Sequence, residues 1–191
     1  MGKEASTSSA ISAKIETWPK VAIIVLNWNG WQDTIECLES LQQITYPNYQ
    51  IIVVDNGSTD ESVEKIKAWA RGETPVESKF FEYNPNTKPV QWVEYDRQTA
   101  EAGGIPEEET KIEQLPSNRR MVFIKNGENL GFAAGNNVGI KYALLRKYSY
   151  LCLLNNDTVV DPKFIEFFVQ NIESDKYLGI VGGKIYKYNE T

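Results

Sequence analysis

The sequence contains no histidine among its 191 residues. A chain without histidine cannot use a histidine general base, a Ser-His-Asp triad or histidine-ligated zinc. It has two cysteines, Cys37 and Cys152. We expect both to be buried free thiols, because the first lies in a helical pattern and the second in an apolar run. Any metal ion must then be held largely by oxygen, which favours magnesium, manganese or calcium.

An excess of positive charge and long apolar runs are also missing. The formal net charge of -6 argues against a nucleic-acid-binding protein, whose surface would be basic. No run reaches the roughly eighteen apolar residues that a membrane-spanning helix needs. The first residues lack the apolar segment of a signal peptide. We therefore expect a cytoplasmic protein in which residues 1–19 are a disordered segment before one domain at 20–191.

Apolar runs and helical patterns alternate along this domain. Segments at 20–27, 50–55, 121–126, 150–155 and 178–188 predict strands, and the unalternating apolar run at 20–27 is typical of a strand covered on both faces. Helical spacing follows most of these segments. A capping box from Ser58 to Glu61 predicts the start of one helix. Asp161 as N-cap before Pro162 predicts the start of another. The alternation predicts an α/β fold with a mostly parallel sheet and helices on both faces.

Residues from about 71 to 120 interrupt this alternation. The stretch is rich in proline and charge and has no helical period. We interpret it as a long insertion at the rim of the sheet, with an edge strand or hairpin arm at 88–96 and disorder around 102–111.

Polar side chains gather where the predicted strands end. Asn27 and Asn29 follow the first strand, Asp55 ends the second, and the amides and carboxylate of residues 155–157 follow the strand at 150–154. The loop NGENLGFAAGNN at 126–137 adds glycines that allow close backbone approach. In an open parallel sheet, ligands bind outside the carboxyl ends of the strands. The pattern therefore predicts a ligand site at this edge.

Four ordered motifs, VLNWNG, VVDNGSTD, NLGFAAGNNVGI and LLNNDTVVDP, resemble the donor-binding half of family 2 glycosyltransferases. The resemblance covers about residues 20 to 186 without the insertion and is nearest to the rhamnosyltransferase-like branch. It implies a GT-A (Rossmann-like) fold and transfer of a sugar, with inversion, from a nucleotide-diphosphate sugar. The acceptor implied is a polysaccharide, a glycolipid or a similar molecule, as in the synthesis of cell envelope polysaccharide.

The resemblance also implies a set of nucleotide-sugar-binding residues. The first strand end would contact the base, Asp55 the base or ribose, and the Gly-rich stretch the nucleotide and its diphosphate. The residues implied are Leu26, Asn27, Asn29, Asp55, Asn129, Gly131, Gly135, Asn136, Asn155, Asn156 and Asp157.

A divalent metal ion is implied at the last of these positions. Residues 155–157 correspond to the family's Asp-x-Asp element, so that Asp157 would coordinate magnesium or manganese bridging the diphosphate. One protein carboxylate with phosphate ligands suffices for such an ion, which neutralises the charge that develops on the leaving diphosphate.

The resemblance leaves the catalytic base unassigned. The family supplies this carboxylate from a loop beyond the last predicted strand, so we expect a domain truncated before the acceptor half, with peripheral membrane association a property of the full protein. The alternative function is a non-catalytic domain that binds nucleotide sugar or a protein partner. A sugar-phosphate nucleotidyltransferase is less favoured, since NWNGWQD is not the basic Gly-rich loop that it would need.

For Trp28 and Trp31, packing on the sheet edge is favoured over stacking on a base.

Overall fold

The computed structural model describes residues 18–188. Most of the segment expected to be disordered, residues 1–17, lies outside the described residues. The five strands are β1 (Val21–Asn27), β2 (Tyr49–Asp55), β3 (Gln91–Asp96), β4 (Arg120–Lys125) and β5 (Tyr150–Asn155). The six α-helices are α1 (Trp31–Leu41), α2 (Ser62–Arg71), α3 (Arg97–Glu101), α4 (Pro106–Glu113), α5 (Gly131–Leu145) and α6 (Phe164–Ser174).

All five strands are parallel and form one sheet in the order β3-β4-β2-β1-β5. The central strands β1 and β2 are buried at every position except Leu26 because helices cover both faces, which explains why they are unalternating apolar runs. One core packs α1, α2 and α6 against the sheet, and the other packs α3, α4 and α5. The predicted α/β architecture is confirmed.

The order of the strands opens a crevice at their carboxyl ends. Helices that follow β1, β2 and β5 pack on one face, whereas α5, which follows β4, packs on the other. Ligands of doubly wound folds bind outside the carboxyl ends of the strands, where the chain connections change from one face of the sheet to the other.

The segment from 71 to 120 is more regular than its composition indicates. The predicted edge strand is confirmed as β3, which pairs with β4 alone. The disorder predicted around 102–111 is wrong, because most of these residues form α4. This helix buries Ile112, and its buried Glu109 accepts a hydrogen bond from the Tyr142 hydroxyl. The tertiary contacts of Ile112 and Glu109 thus stabilise a helix that the charged local sequence does not predict.

The strand predicted at 178–188 is wrong. This segment has no regular secondary structure, and Ile180 and Ile185 are 89% and 86% exposed. Its apolar residues have the composition of a strand, but a strand also needs a neighbour to complete its backbone hydrogen bonds. Within residues 18–188, β5 pairs only with β1 and no strand pairs with this segment.

The helix after β5 begins later than predicted. Asp161 accepts a hydrogen bond from the Lys163 backbone N–H at 2.8 Å, but α6 starts only at Phe164. Ile165 and Val169 of α6 are buried against the sheet. No helix among residues 18–188 is both long and apolar enough to span a membrane.

Both cysteines are free thiols, as predicted; Cys37 is buried as expected, whereas Cys152 is only half-buried. Burial raises the pKa of Cys37 and of Cys152 to about 12 each, so both stay protonated at neutral pH. The Cys37 thiol lies 3.8 Å from the carbonyl oxygen of Asn155, where α1 packs beneath the end of β5.

Candidate nucleotide-sugar site

Two buried side chains join the ends of β1 and β2. Asn27 and Asp55 are partners in the parallel register, and they are 0% and 3% exposed. The Asn27 amide donates to Asp55 Oδ1 at 2.9 Å and to Ser58 Oγ at 3.0 Å, and its oxygen accepts from the Thr34 hydroxyl at 2.8 Å. Because every one of these groups is satisfied within the protein, the network fixes the two strand ends and the start of α1 relative to each other.

Ser58 joins the loops after β1 and β2. Its backbone N–H donates to Asp55 Oδ2 at 3.1 Å, and its hydroxyl accepts from the Asn29 backbone N–H at 3.0 Å. Asn29, in the loop after β1, has a φ of 52°, and its side-chain oxygen accepts from the backbone N–H groups of Thr59 and Asp60 in the loop after β2. The capping box predicted from Ser58 to Glu61 is therefore wrong, since α2 begins at Ser62 and its N-cap Glu61 makes no side-chain capping bond.

The turn after β5 presents amides and a carboxylate next to these loops. The Asn156 amide donates to the Thr34 hydroxyl at 3.0 Å and so connects β5 to the network at the end of β1. The Asn155 carbonyl accepts from the Thr158 hydroxyl at 2.7 Å, which closes the turn. The side chains of Asn155 and Asp157 are exposed.

The Gly-rich loop completes the site from the side of β4. Gly131, the first residue of α5, has a φ of 76°, and its N–H donates to Asn129 Oδ1 at 2.8 Å. Gly135 packs so closely that a Cβ atom there would lie 2.8 Å from Leu26 Cδ1. Asn136 is buried, and its amide donates to the Phe132 carbonyl one turn back in the helix at 2.9 Å.

A cleft of about 440 Å³ lies between these strand ends and loops. Six of its lining residues are among those predicted from the sequence: Leu26, Asn129, Gly131, Asn155, Asn156 and Asp157. The four others are Trp28, Asn56, Phe132 and Leu154. Three strand ends and the Gly-rich loop thus contribute to one cleft at the predicted edge of the sheet.

The other predicted residues, Asn27, Asn29, Asp55, Gly135 and Asn136, do not line this cleft. They lie next to it and hold the lining in place through the hydrogen bonds and packing given above. The nucleotide contacts expected of them stay predictions, as do the roles expected of the lining residues.

Two aromatic side chains at the cleft were not predicted as site residues. Trp28 is 54% exposed and Phe132 is 66% exposed. The expectation that Trp28 packs on the sheet is therefore wrong. It is right for Trp31, which packs against the core and has the Lys65 ammonium 5.3 Å from its ring centre. A tryptophan between two asparagines directly after a buried strand is the sequence signal that distinguishes Trp28.

Asp157 is the only charged residue among the described residues that line the cleft, and no lysine or arginine lines it. Lys125, at the end of β4, lies 2.7 Å from Glu94, which raises the pKa of its ammonium. No group of three or more acidic or cysteine side chains suited to a metal ion occurs within residues 18–188. The cleft therefore fits an ion held by one carboxylate together with its ligand's phosphates.

An open parallel sheet with a polar cleft at its carboxyl edge defines a doubly wound α/β ligand-binding domain. The family model of glycosyl transferase family 2 matches residues 22–87 and 105–191. The chain belongs to this family, as its motifs predicted. The match passes over residues 88–104, which contain β3 and α3.

Individual relatives agree with the family assignment. The chain is 26% identical over 172 residues to Glycosyltransferase GlyG of Streptococcus pneumoniae serotype 4, which covers 90% of this chain and 40% of the relative. It is 35% identical over 72 residues to poly-beta-1,6-N-acetyl-D-glucosamine synthase of Staphylococcus aureus, covering 38% of this chain and 17% of the relative. The chain thus spans less than half the length of these relatives.

A solved structure has the same fold. The mannosyltransferase PcManGT of Pyrobaculum calidifontis, in complex with GDP-Man and Mn²⁺, aligns with a TM-score of 0.54 at 16% identity. The alignment covers 82% of this chain and 33% of that protein. The predicted GT-A fold is confirmed, and the rhamnosyltransferase-like branch stays a prediction.

Proposed function

We propose that residues 20–191 are the nucleotide-sugar-binding domain of a glycosyltransferase. The enzyme would transfer a sugar, with inversion, from a nucleotide-diphosphate sugar to a polysaccharide, glycolipid or similar acceptor in the cytoplasm. Family membership supports the reaction class. The observation that carries the proposal is the composition of the cleft, which combines apolar and aromatic side chains, backbone and amide groups, and one exposed carboxylate.

Each part of the cleft suits one part of such a donor. The rings of Trp28 and Phe132 offer flat surfaces for a base or a sugar. The side chains of Asn155 and Asn156 supply donors and acceptors for hydroxyl groups, and polar groups of Asn129 and Gly131 suit the diphosphate. Asp157 would hold a magnesium or manganese ion against the diphosphate, and that ion would neutralise the charge of the leaving group.

Because no lysine or arginine lines the described cleft, a diphosphate has no direct cationic partner there. We expect calorimetric titration with UDP, dTDP and GDP to show binding of one of them in the presence of manganese. Chelation of the metal should weaken this binding at least about tenfold, because the Asp157 carboxylate and the negatively charged diphosphate would then lie together without a cation between them. The matching nucleoside should bind equally well with and without chelator. Binding of none of these nucleotides would contradict the proposed function.

Trp28 provides a second test of the same site. We expect Trp28→Ala to weaken nucleoside and nucleotide binding about tenfold, because stacking of a base on an aromatic ring is worth about 1–3 kcal/mol. Nucleotide should also change the tryptophan fluorescence of the unsubstituted protein. Trp18→Ala is the matched control, since Trp18 packs edge-on against Tyr46, with ring centres 5.0 Å apart, outside the cleft. Equal affinities of the two variants would remove Trp28 from the site.

A second candidate function is a domain that binds nucleotide sugar without turnover. It is favoured by the same lining, in which the only carboxylate of the described cleft is the one assigned to the metal. An inverting transferase needs a further base to deprotonate the acceptor. Release of free nucleotide from the donor by the full-length protein with acceptor present supports the transferase, whereas donor binding without release supports the second candidate.

A further inference from the structure

The side chain of Asn56, directly after β2, uses its full hydrogen-bonding capacity. Its Nδ2 donates to Asn129 Oδ1 at 2.9 Å and to the Gly131 carbonyl at 3.3 Å. Its Oδ1 accepts from Asn126 Nδ2 at 3.0 Å and from the Leu130 backbone N–H at 3.2 Å. A primary amide has two N–H groups and two lone pairs, so none remains for a ligand. Asn56 is 2% exposed.

All four bonds reach residues 126–131, which connect β4 to α5. The Asn56 backbone N–H in turn donates to the Asn27 carbonyl at 2.8 Å, which fixes its backbone to the end of β1. The neighbouring Gly57 has a φ of 73°, and a Cβ atom there would lie 2.5 Å from the backbone carbon of Glu128. The loop after β2 and the loop after β4 are therefore packed together at backbone distance around one buried amide.

The contact between the loops after β2 and β4 fixes the position of one wall of the cleft. Asn129, Gly131 and Phe132 line the cleft and belong to the segment that Asn56 holds or follow it directly. Gly127 and Gly131 have φ values of 76° each, so the segment contains residues with a wide choice of backbone conformation. Without the four hydrogen bonds of the Asn56 side chain, this segment would become ordered only when the ligand binds. The entropy lost in that ordering would lower the affinity for the ligand.

We propose that Asn56 is a positioning residue for the diphosphate part of the donor, and this inference rests on the proposed function. Asn56 touches no ligand atom. It holds Asn129 and Gly131 where their polar groups meet the diphosphate, while the base stacks on Trp28 after β1, outside residues 126–131. Loss of the amide should therefore affect the diphosphate more than the nucleoside.

The test compares Asn56→Ala and Asn56→Asp with the unsubstituted protein. The probes are whichever of UDP, dTDP and GDP binds that protein, and the matching nucleoside. We expect Asn56→Ala to weaken diphosphate binding roughly tenfold and to leave nucleoside binding unchanged. Asn56→Asp keeps the acceptor for Asn126 and Leu130 but turns a carboxylate oxygen toward the oxygens of Asn129 and Gly131, so we expect it to weaken diphosphate binding at least as much as Asn56→Ala does. Asn48→Asp, whose amide contacts the Trp18 carbonyl at the opposite edge of the sheet, is the matched control.

Should Asn56→Ala fail to fold, Asn126→Ala removes a donor to Asn56 Oδ1 at a residue that does not line the cleft, and it is expected to give the same selective loss. Equal loss for nucleoside and diphosphate, equal affinity of all variants, or tighter diphosphate binding by Asn56→Asp than by Asn56→Ala overturns the inference alone. Absence of nucleotide binding by the unsubstituted protein overturns the proposed function, and the inference with it.

Discussion

Asp157→Asn is expected to abolish the metal dependence of nucleotide binding and to weaken nucleoside diphosphate binding in manganese at least about tenfold, the loss that chelation causes in the unsubstituted protein. Loss of a residue that merely supports a metal ligand costs about 10–100-fold in metal affinity, and loss of the ligand itself costs no less. The described cleft has no other carboxylate and no lysine or arginine that would compensate. Calorimetric titration with nucleotide, with manganese and with chelator, measures both effects. Manganese binding in the presence of nucleotide, followed by electron paramagnetic resonance, is an independent readout.

Asp161→Asn is the matched control for this substitution. Asp161 is also an exposed carboxylate, four residues along the chain, but it accepts a hydrogen bond from the Lys163 backbone N–H and does not line the cleft. Its asparagine variant keeps an acceptor for that bond, so we expect unchanged nucleotide affinity. If Asp157→Asn and Asp161→Asn bind nucleotide with the same affinity and the same metal dependence, Asp157 is not the metal ligand.

Much of the fold was predictable because its central strands have a simple signal. Apolar runs located β1, β2, β4 and β5, although β5 is an edge strand whose Leu153 is 52% exposed. The exposed segment at 178–188 also contains β-branched and aromatic residues, but it has no partner strand among the described residues. Composition reports that a segment is able to form a strand, whereas pairing depends on residues far away in the sequence.

The site was predictable where a residue is both polar and at a strand end. Asn155, Asn156 and Asp157 meet Leu26, Asn129 and Gly131 in one cleft because parallel strands place their carboxyl ends at one edge. The distinction between lining residues and those behind them was not predictable. Asn27 and Asp55 carry the same chemical groups as the lining residues, and only their mutual hydrogen bond shows that they face each other.

Ser58 shows a second limit of sequence reasoning. A serine three residues before a glutamate has the local pattern of a capping box, but its hydroxyl accepts from Asn27 and Asn29, more than twenty residues away. A local pattern predicts only the local use of a side chain. Long-range hydrogen bonds at a sheet edge compete for the same groups.

Lys88→Met is expected to lower the free energy of unfolding by about 3–5 kcal/mol, the usual cost of removing one partner of a buried ion pair. The Lys88 ammonium lies 2.7 Å from Glu39 Oε2, and the two side chains are 4% and 1% exposed. The same carboxylate oxygen accepts from Trp69 Nε1 at 2.8 Å, and the ammonium lies 4.1 Å from the centre of the Trp69 ring. Desolvation lowers the pKa of Lys88 even with Glu39 beside it. Without the ammonium, the Glu39 charge stays buried and uncompensated.

Chemical denaturation measures this loss, and two further variants show its cause. Glu39→Gln combined with Lys88→Met removes both charges and keeps an acceptor for Trp69, so we expect most of the stability to return. Lys65→Met removes half of an exposed ion pair, 3.5 Å from Glu61, and should cost less than about 1 kcal/mol. A Lys88→Met variant as stable as Lys65→Met would contradict the role of the buried pair.

The location of Lys88 connects this stability to the architecture. It is the first residue of the stretch at 88–104 that the family match passes over, and Glu39 and Trp69 lie on α1 and α2. The buried pair therefore fixes the start of the segment that adds β3 to the sheet edge farthest from β1 and β5. Since neither Lys88 nor Glu39 lines the cleft, the nucleotide affinity of folded Lys88→Met should equal that of the unsubstituted protein. A loss of affinity in proportion to the loss of stability would instead mean that the segment supports the cleft.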